Sequence, residues 1–208
     1  MSGALIEVRD VGYRPNDVPV LDGVSLAVYP GEVLAVTGPS GSGKSSLLAL
    51  LAGLATPDSG AVLSSVPPNG VGVILQAYGL VNLLTAAENV EVALQARGHS
   101  PEDVQSAAAA ALAAVRLDEV ADHLIEELSG GQQQRVAVAR ALALQPALLI
   151  ADEVTAELDA ETRDVIVELV LGAAATGAAV VLATHDLELA ARADRRLALV
   201  NGRVASAA

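Results

Sequence analysis

The stretch Gly38-Pro39-Ser40-Gly41-Ser42-Gly43-Lys44-Ser45 reads G-x-x-x-x-G-K-S, and it restricts the fold more than any other part of the chain. A glycine-rich backbone can turn its N–H groups inward around phosphate oxygens. The Lys can reach the terminal phosphates, and the Ser hydroxyl is placed for Mg²⁺. Such a loop requires a strand before it and a helix after it. Val33-Leu34-Ala35-Val36-Thr37 is an apolar run suited to a buried strand. Ser45-Ser46-Leu47-Leu48-Ala49-Leu50-Leu51 starts a helix whose N-terminus faces the phosphates. Both flanks are therefore present, and the expected phosphate cradle is Gly38, Ser40, Gly41, Ser42, Gly43, Lys44, Ser45 and Ser46. Lys44 is the only lysine in the chain, against eleven arginines. A compact ammonium on a thin stem suits this loop where a planar guanidinium fork does not.

With 208 residues the chain can bury a sizeable core as one domain, 1–208, with a subdomain. Aromatic residues are 1% of the sequence, with no Phe or Trp, so Ala, Val and Leu must build that core. The absence of cysteine excludes disulfides and thiolate metal sites. A net charge of −13 opposes binding to nucleic acid or anionic lipid. No basic region precedes an apolar stretch near Met1, so no secretory signal is expected. The longest uncharged apolar run, Leu169 to Thr184, has 16 residues and contains Gly172 and Gly177. It reads as helix, turn and strand, not as a membrane span. A soluble, cytoplasmic protein is expected.

Along the chain, residues 4–9 and 24–29 alternate apolar and polar side chains and predict strands of a small β layer. Short apolar runs follow at 61–63 and 71–75. From about residue 77 the character turns helical, with 88–96 and 101–115 rich in Ala and Ser100-Pro101-Glu102-Asp103 a good helix start. This predicts a helical insertion over about 77–135. Strand-like runs at 147–151 and 179–184 then alternate with helices at 132–144 and 160–171. That alternation predicts an α/β fold with a mainly parallel, covered sheet. Asn201-Gly202 between 197–200 and 203–204 marks a hairpin.

Two further stretches carry chemistry. Ala147-Leu148-Leu149-Ile150-Ala151-Asp152-Glu153 is an apolar strand ending in two carboxylates. Parallel strands present their C-terminal ends to the ligand crevice. Asp152 is therefore expected to reach the Mg²⁺ held by Ser45. Glu153, expected to point the other way by strand alternation, is free to polarise an attacking water. Leu128-Ser129-Gly130-Gly131-Gln132-Gln133-Gln134-Arg135 opens a helix and makes a second anion-binding N-terminus. One nucleotide has no evident use for two cradles in one chain. A dimer resolves this, with the second loop closing over ATP bound to the other copy.

With these three motifs the chain resembles the nucleotide-binding subunit of an ABC transporter, over nearly its whole length. The phosphate loop, the L-S-G-G-Q signature and the strand-D-E motif stand in that family's order. The resemblance implies a P-loop NTPase fold with a small N-terminal antiparallel β subdomain and a helical subdomain ending in the signature. It also implies ATP and Mg²⁺ as ligands, and ATP hydrolysis coupled to transport. Tyr13 falls where the family has an aromatic stacking on adenine. Gln76 falls at the glutamine loop that senses Mg²⁺ and the membrane partner. Leu158-Asp159 matches the end of the loop crossing the dimer interface, and His185 the switch histidine at the γ-phosphate. The implied catalytic set is Glu153, His185, Lys44 and Gln76, with Ser45, Gln76 and Asp152 on the metal. Ser129, Gly130, Gly131 and Gln132 complete the nucleotide site from the other subunit.

The implied partners are a second ATPase subunit, either a copy of this chain in a homodimer or a homologue, and transmembrane permease subunits. The implied location is the inner face of the cell membrane, held there only through the permease. The stretch from Gln76-Ala77-Tyr78-Gly79-Leu80 through Asn89-Val90 is similar to the lipoprotein-release and macrolide-export type. The sequence departs from the family pattern at Val154, where Pro is usual, and at Glu157, where a small residue or Asn is common. The segment 60–75 is also shorter than usual. A soluble cassette acting on nucleic acid or ribosomes usually carries long coiled insertions or two cassettes, and this acidic chain has neither. A regulatory module on a membrane complex differs from a transport engine only in its partner.

Overall fold

The computed structural model describes residues 3–155 and 158–207; Glu157 lies outside the described residues. The chain begins with strands β1 (Ile6–Tyr13) and β2 (Leu21–Val28), followed by β3 (Val33–Thr37) and helix α1 (Lys44–Leu51). Strands β4 (Ser59–Ser64) and β5 (Val71–Ile74) precede three helices, α2 (Ala86–Gln95), α3 (Pro101–Ala114) and α4 (Gly130–Ala143). Then come β6 (Leu148–Asp152), α5 (Ala160–Ala175), β7 (Ala179–Ala183), α6 (Leu187–Ala191), β8 (Arg195–Val200) and β9 (Arg203–Ala207).

β2, β1 and β4 form a three-stranded antiparallel sheet. The other six form a sheet in the order β5-β6-β7-β3-β8-β9, parallel throughout except for the final antiparallel pair. This is the α/β architecture expected, with its small antiparallel layer and a helical stretch between β5 and β6. β6 and β7 are buried at every position, as strands covered on both faces must be. Their alternation splits the core in two. Val33, Ala35, Leu149, Ala151, Val180 and Leu182 face a cluster shared with α2, α3, α4 and α5. Leu34, Val36, Leu148, Ile150 and Val181 face the other, shared with α1 and the small sheet.

Side-chain caps set several helix starts. Thr85 and Glu88 form a capping box on α2, and the Ser100 hydroxyl accepts from the Asp103 N–H at 3.2 Å on α3. α5 runs through Gly172 to Ala175 instead of stopping at 171. One interior glycine costs only about 1 kcal/mol of helix propensity, and three alanines follow it. α6 is five residues long, too short to show a period in sequence. β1 extends to Tyr13 across a register shift beside Asp10, which has φ 49°, an irregularity that interrupts the alternation used to read the strand.

Sheet register places the chemistry. Asp152 pairs with Ala183, Val36 with Ala183, and Ile74 with Ala151. Residues just past these positions therefore emerge side by side at one edge: Gln76, then Asp152 and Glu153, then His185, then the loop 38–45.

Candidate active site

A cavity of about 600 Å³ opens at this edge. Gly38, Ser40, Gly41, Gly43, Lys44, Ser45 and Ser46 line it from the loop and the first turn of α1. Gln76, Asp152, Glu153 and His185 line it from the ends of β5, β6 and β7, with Val20 and Pro39 completing the wall. Eleven residues expected from the sequence thus share one wall. Ser42 and Tyr13 do not line it. Ser42 is buried behind the loop, and Tyr13 packs partly buried against the core cluster under the small sheet.

The loop is held rigidly. The Lys44 ammonium donates to the carbonyl oxygens of Gly38 and Pro39 at 3.0 and 3.1 Å. A lysine has three N–H donors, so one remains for a ligand. Lys44 is only 9% exposed, and its cation lies at a helix N-terminus, where the helix dipole adds to its attraction for anions. The β8–β9 hairpin braces the loop from behind, the Gly202 N–H donating to the Ser42 carbonyl at 3.1 Å.

Strand alternation does not orient Glu153. β6 ends at Asp152, and Glu153 turns out of the strand with φ 52°. Its N–H donates to the Ala183 carbonyl at 3.0 Å, and its carboxylate meets His185 Nδ1 at 2.7 Å. Where the carboxylate accepts, Nδ1 is the donor of this pair. Both carboxylates therefore line one cavity, where strict alternation had separated them. Asp152 is buried, and its Oδ1 has no hydrogen-bond partner. A buried carboxylate oxygen left unpaired is costly, and a cation would satisfy it. No cluster of three or more His, Asp or Glu side chains able to hold a metal occurs among the described residues. Asp152, with the side-chain oxygens of Ser45 and Gln76 on the same wall, is a sparse oxygen set that suits Mg²⁺, which takes one or two carboxylates together with phosphates.

His185 is set between two anchors. Thr184 Oγ1 accepts from the Asp186 N–H at 3.0 Å, and the Asp186 carboxylate caps α6 at 2.9 and 3.1 Å. The Arg163 guanidinium on α5 bonds that carboxylate and holds it below its ordinary range. Asp159 caps α5, and hydrogen bonds from Thr162 lower its carboxyl likewise.

The Ser129–Gln132 stretch is absent from the cavity wall. Ser129 is exposed and forms a capping box on α4: its hydroxyl accepts from the Gln132 N–H at 3.3 Å, and Gln132 Oε1 accepts from the Ser129 N–H at 2.9 Å. The hydroxyl keeps its own hydrogen for another acceptor. Further along α4 are two residues that sequence reasoning missed. Gln134 is 3% exposed and donates to the Glu153 carbonyl at 3.1 Å. Arg140 donates to the carbonyls of Tyr78 and Gly79 at 2.8 and 2.6 Å, and burial pushes its guanidinium down from its usual value. The signal for Gln134 was its place on the stripe of buried Ala137, Val138 and Ala141.

Residues 21–156 match the family model described as ABC transporter. The uncharacterized ABC transporter ATP-binding protein YbbA of Escherichia coli strain K12 is 42% identical over 94% of this chain and 92% of its own length. The chain belongs to the ABC transporter family. Within it, this chain is the ATP-binding, ATP-hydrolysing subunit. The dimeric cassette MJ0796, in a post-hydrolysis state bound to ADP and Pi, superposes with a TM-score of 0.90 at 33% identity, covering 98% of this chain and 97% of that one. The ATP-binding subunit of another ABC transporter gives 0.90 at 29% identity over 98% and 89%. In this member of the family Val154, where Pro is usual, is 3% exposed and packs into the helical-side core. No described helix is long and apolar enough to cross a membrane.

Proposed function

We propose that this ABC cassette binds ATP in the cavity at the sheet edge and hydrolyses it as half of a nucleotide-sandwich dimer. The observation that carries this reading is the convergence of Lys44, Gln76, Asp152, Glu153 and His185, from four separate segments, on one cavity wall. The loop 38–46 and Lys44 would hold the β- and γ-phosphates, and Tyr13, off that wall at the end of β1, would meet the adenine only where it extends beyond the cavity. Ser45, Asp152 and Gln76 would hold Mg²⁺, which when bound neutralises phosphate charge. Phosphoryl transfer to water asks mainly for positioning and charge stabilisation. Glu153 is the base that takes the proton of the attacking water. His185 would meet the γ-phosphate through an Nε2–H donor while Nδ1–H donates to Glu153, both ring nitrogens being donors in the protonated imidazole.

Ser129, Gly130, Gly131 and Gln132 lie off their own chain's cavity wall, which supports their closing on ATP held by a second copy. Dimer closure and reopening would drive transmembrane permease subunits docked near Gln76 and the helical subdomain of about 77–135. The exposed Leu75, Val81, Leu83 and Val92 beside it suit such a contact. The cassette would then sit in the cytoplasm on the inner face of the membrane. The stretch from Gln76 to Val90 supports a permease of the lipoprotein-release and macrolide-export type. No nucleic-acid role is proposed, in keeping with the net charge of −13.

Glu153→Gln is the decisive variant. Loss of a general base lowers turnover by roughly 100-fold or more, while ATP binding remains. Size-exclusion chromatography with ATP should show the variant as a stable dimer. Hydrolysis at the wild-type rate would remove Glu153 from the mechanism.

A further inference from the structure

Glu153 occupies a left-handed backbone conformation, φ 52°, that a residue with a side chain adopts only at a cost. Such strain persists only where the surroundings hold it in place. Three tethers do so. The end of β7 takes its N–H at 3.0 Å, and His185 takes its carboxylate at 2.7 Å. The third is Gln134, whose Nε2 donates to the Glu153 carbonyl at 3.1 Å. Of the three tethers, only this one comes from α4, the helix that Ser129 caps. It is also the one from a side chain almost wholly buried, at 3% exposure. Gln134 lies in the second turn of α4, five residues beyond the capping Ser129. The capping box makes the first turn of that helix a closed unit, so a tilt or rotation of α4 at Ser129 moves Gln134 with it.

We infer that Gln134 is a positioning residue for Glu153, and that through it the signature end of α4 sets the aim of the base in the same chain. The inference rests on the proposed reading of Glu153 as the base. In a sandwich dimer, Ser129–Gly131 of one copy would engage the nucleotide of the other. α4 would then couple engagement at one site to the alignment of Glu153 at its neighbour. Gln134 does not line the cavity and would act on Glu153 through the peptide that follows it.

Gln134→Met keeps length and volume and removes the donor. A lost neutral hydrogen bond, spent on alignment alone, lowers kcat by about tenfold. Affinity for ATP, read by equilibrium titration of a fluorescent analogue, and the thermal midpoint should stay near wild type. Single-turnover assays should show no further loss when Gln134→Met is added to Glu153→Gln, because both changes disable the same group. Gln134→Asn, one methylene too short to reach the carbonyl, gives the same readings should the Met variant not fold.

A kcat within twofold of wild type overturns the inference. So does a full tenfold loss repeated in the Glu153→Gln background, and so does a fall in nucleotide affinity and midpoint in proportion to kcat, which marks a structural role. If Glu153→Gln alone turns over normally, the reading of the base fails and takes this inference with it, an outcome separable from the others.

Discussion

A methyl group on Gly38 would lie 2.1 Å from the backbone oxygen of Leu199, in the hairpin that braces the phosphate loop. Gly38 also has φ 147°, outside the range that other residues adopt readily. Gly41, three residues on in the same loop, has φ 75° and nothing within 4 Å of its would-be methyl. The two alanine substitutions therefore separate backbone strain from collision. Gly41→Ala should cost about 1 kcal/mol. Gly38→Ala should cost about 3 kcal/mol or more, because backbone, not a flexible side chain, must move. Urea unfolding monitored by circular dichroism would check this; equal costs would mean that the hairpin yields. At this scale the sequence disclosed much, because phosphate chemistry dictates residue types at fixed spacing, and Lys44, Ser45, Asp152 and Glu153 follow it. It did not disclose the turn at Glu153, since nothing in Ala151-Asp152-Glu153-Val154 signals a left-handed residue, and strand alternation gave the wrong direction.

Among the elements, α4 makes the widest connections. Its N-terminus is the signature turn, Gln134 reaches the end of β6, and Arg140 reaches the loop after Gln76. Arg140 is charged and partly buried, and the bonds recorded for it go to the carbonyls of Tyr78 and Gly79, with Tyr78 at φ 58°. Hydrogen bonds to a charged group contribute about 1.5–3 kcal/mol each. Arg140→Met, which retains the packing stem, should therefore release the segment 75–81. Hydrogen exchange there should accelerate by at least about tenfold, with exchange in β6 and β7 unchanged. ATP turnover should fall as Gln76 loses its fixed approach. Unchanged exchange over 75–81 would mean that Tyr78 and Gly79 are held by other contacts. Helix starts were legible because Thr85, Ser100 and Ser129 are caps with local chemistry. Links such as Arg140 to Gly79 were not, since residues 61 positions apart leave no trace in a local pattern.

For the whole molecule, the question is whether the helical stretch 77–135 is an independent unit or part of one domain. The core on that side is continuous. Leu112 of α3, Val136 of α4, Leu149 of β6 and Val167 of α5 belong to a single cluster. The sheet that closes this cluster presents its other face, through Leu34, Val36 and Ile150, to the cluster beneath the small antiparallel layer. Neither half can lose its packing without exposing one side of the same strands to water, at roughly 25 cal/mol per Å² of apolar surface. The halves should therefore unfold together. Leu112→Ala and Leu34→Ala, both fully buried and on opposite faces of the sheet, should each cost about 3 kcal/mol. For a chain of this size that lowers the midpoint by roughly 6–12 °C. Each variant should still melt in one transition. Hydrogen exchange near the midpoint would separate the alternatives: segments 101–114 and 33–37 should become labelled together in both variants. If Leu112→Ala labels 86–114 well before 33–37, the helical part unfolds alone, and dimer closure could then act by ordering it instead of moving it as a rigid arm.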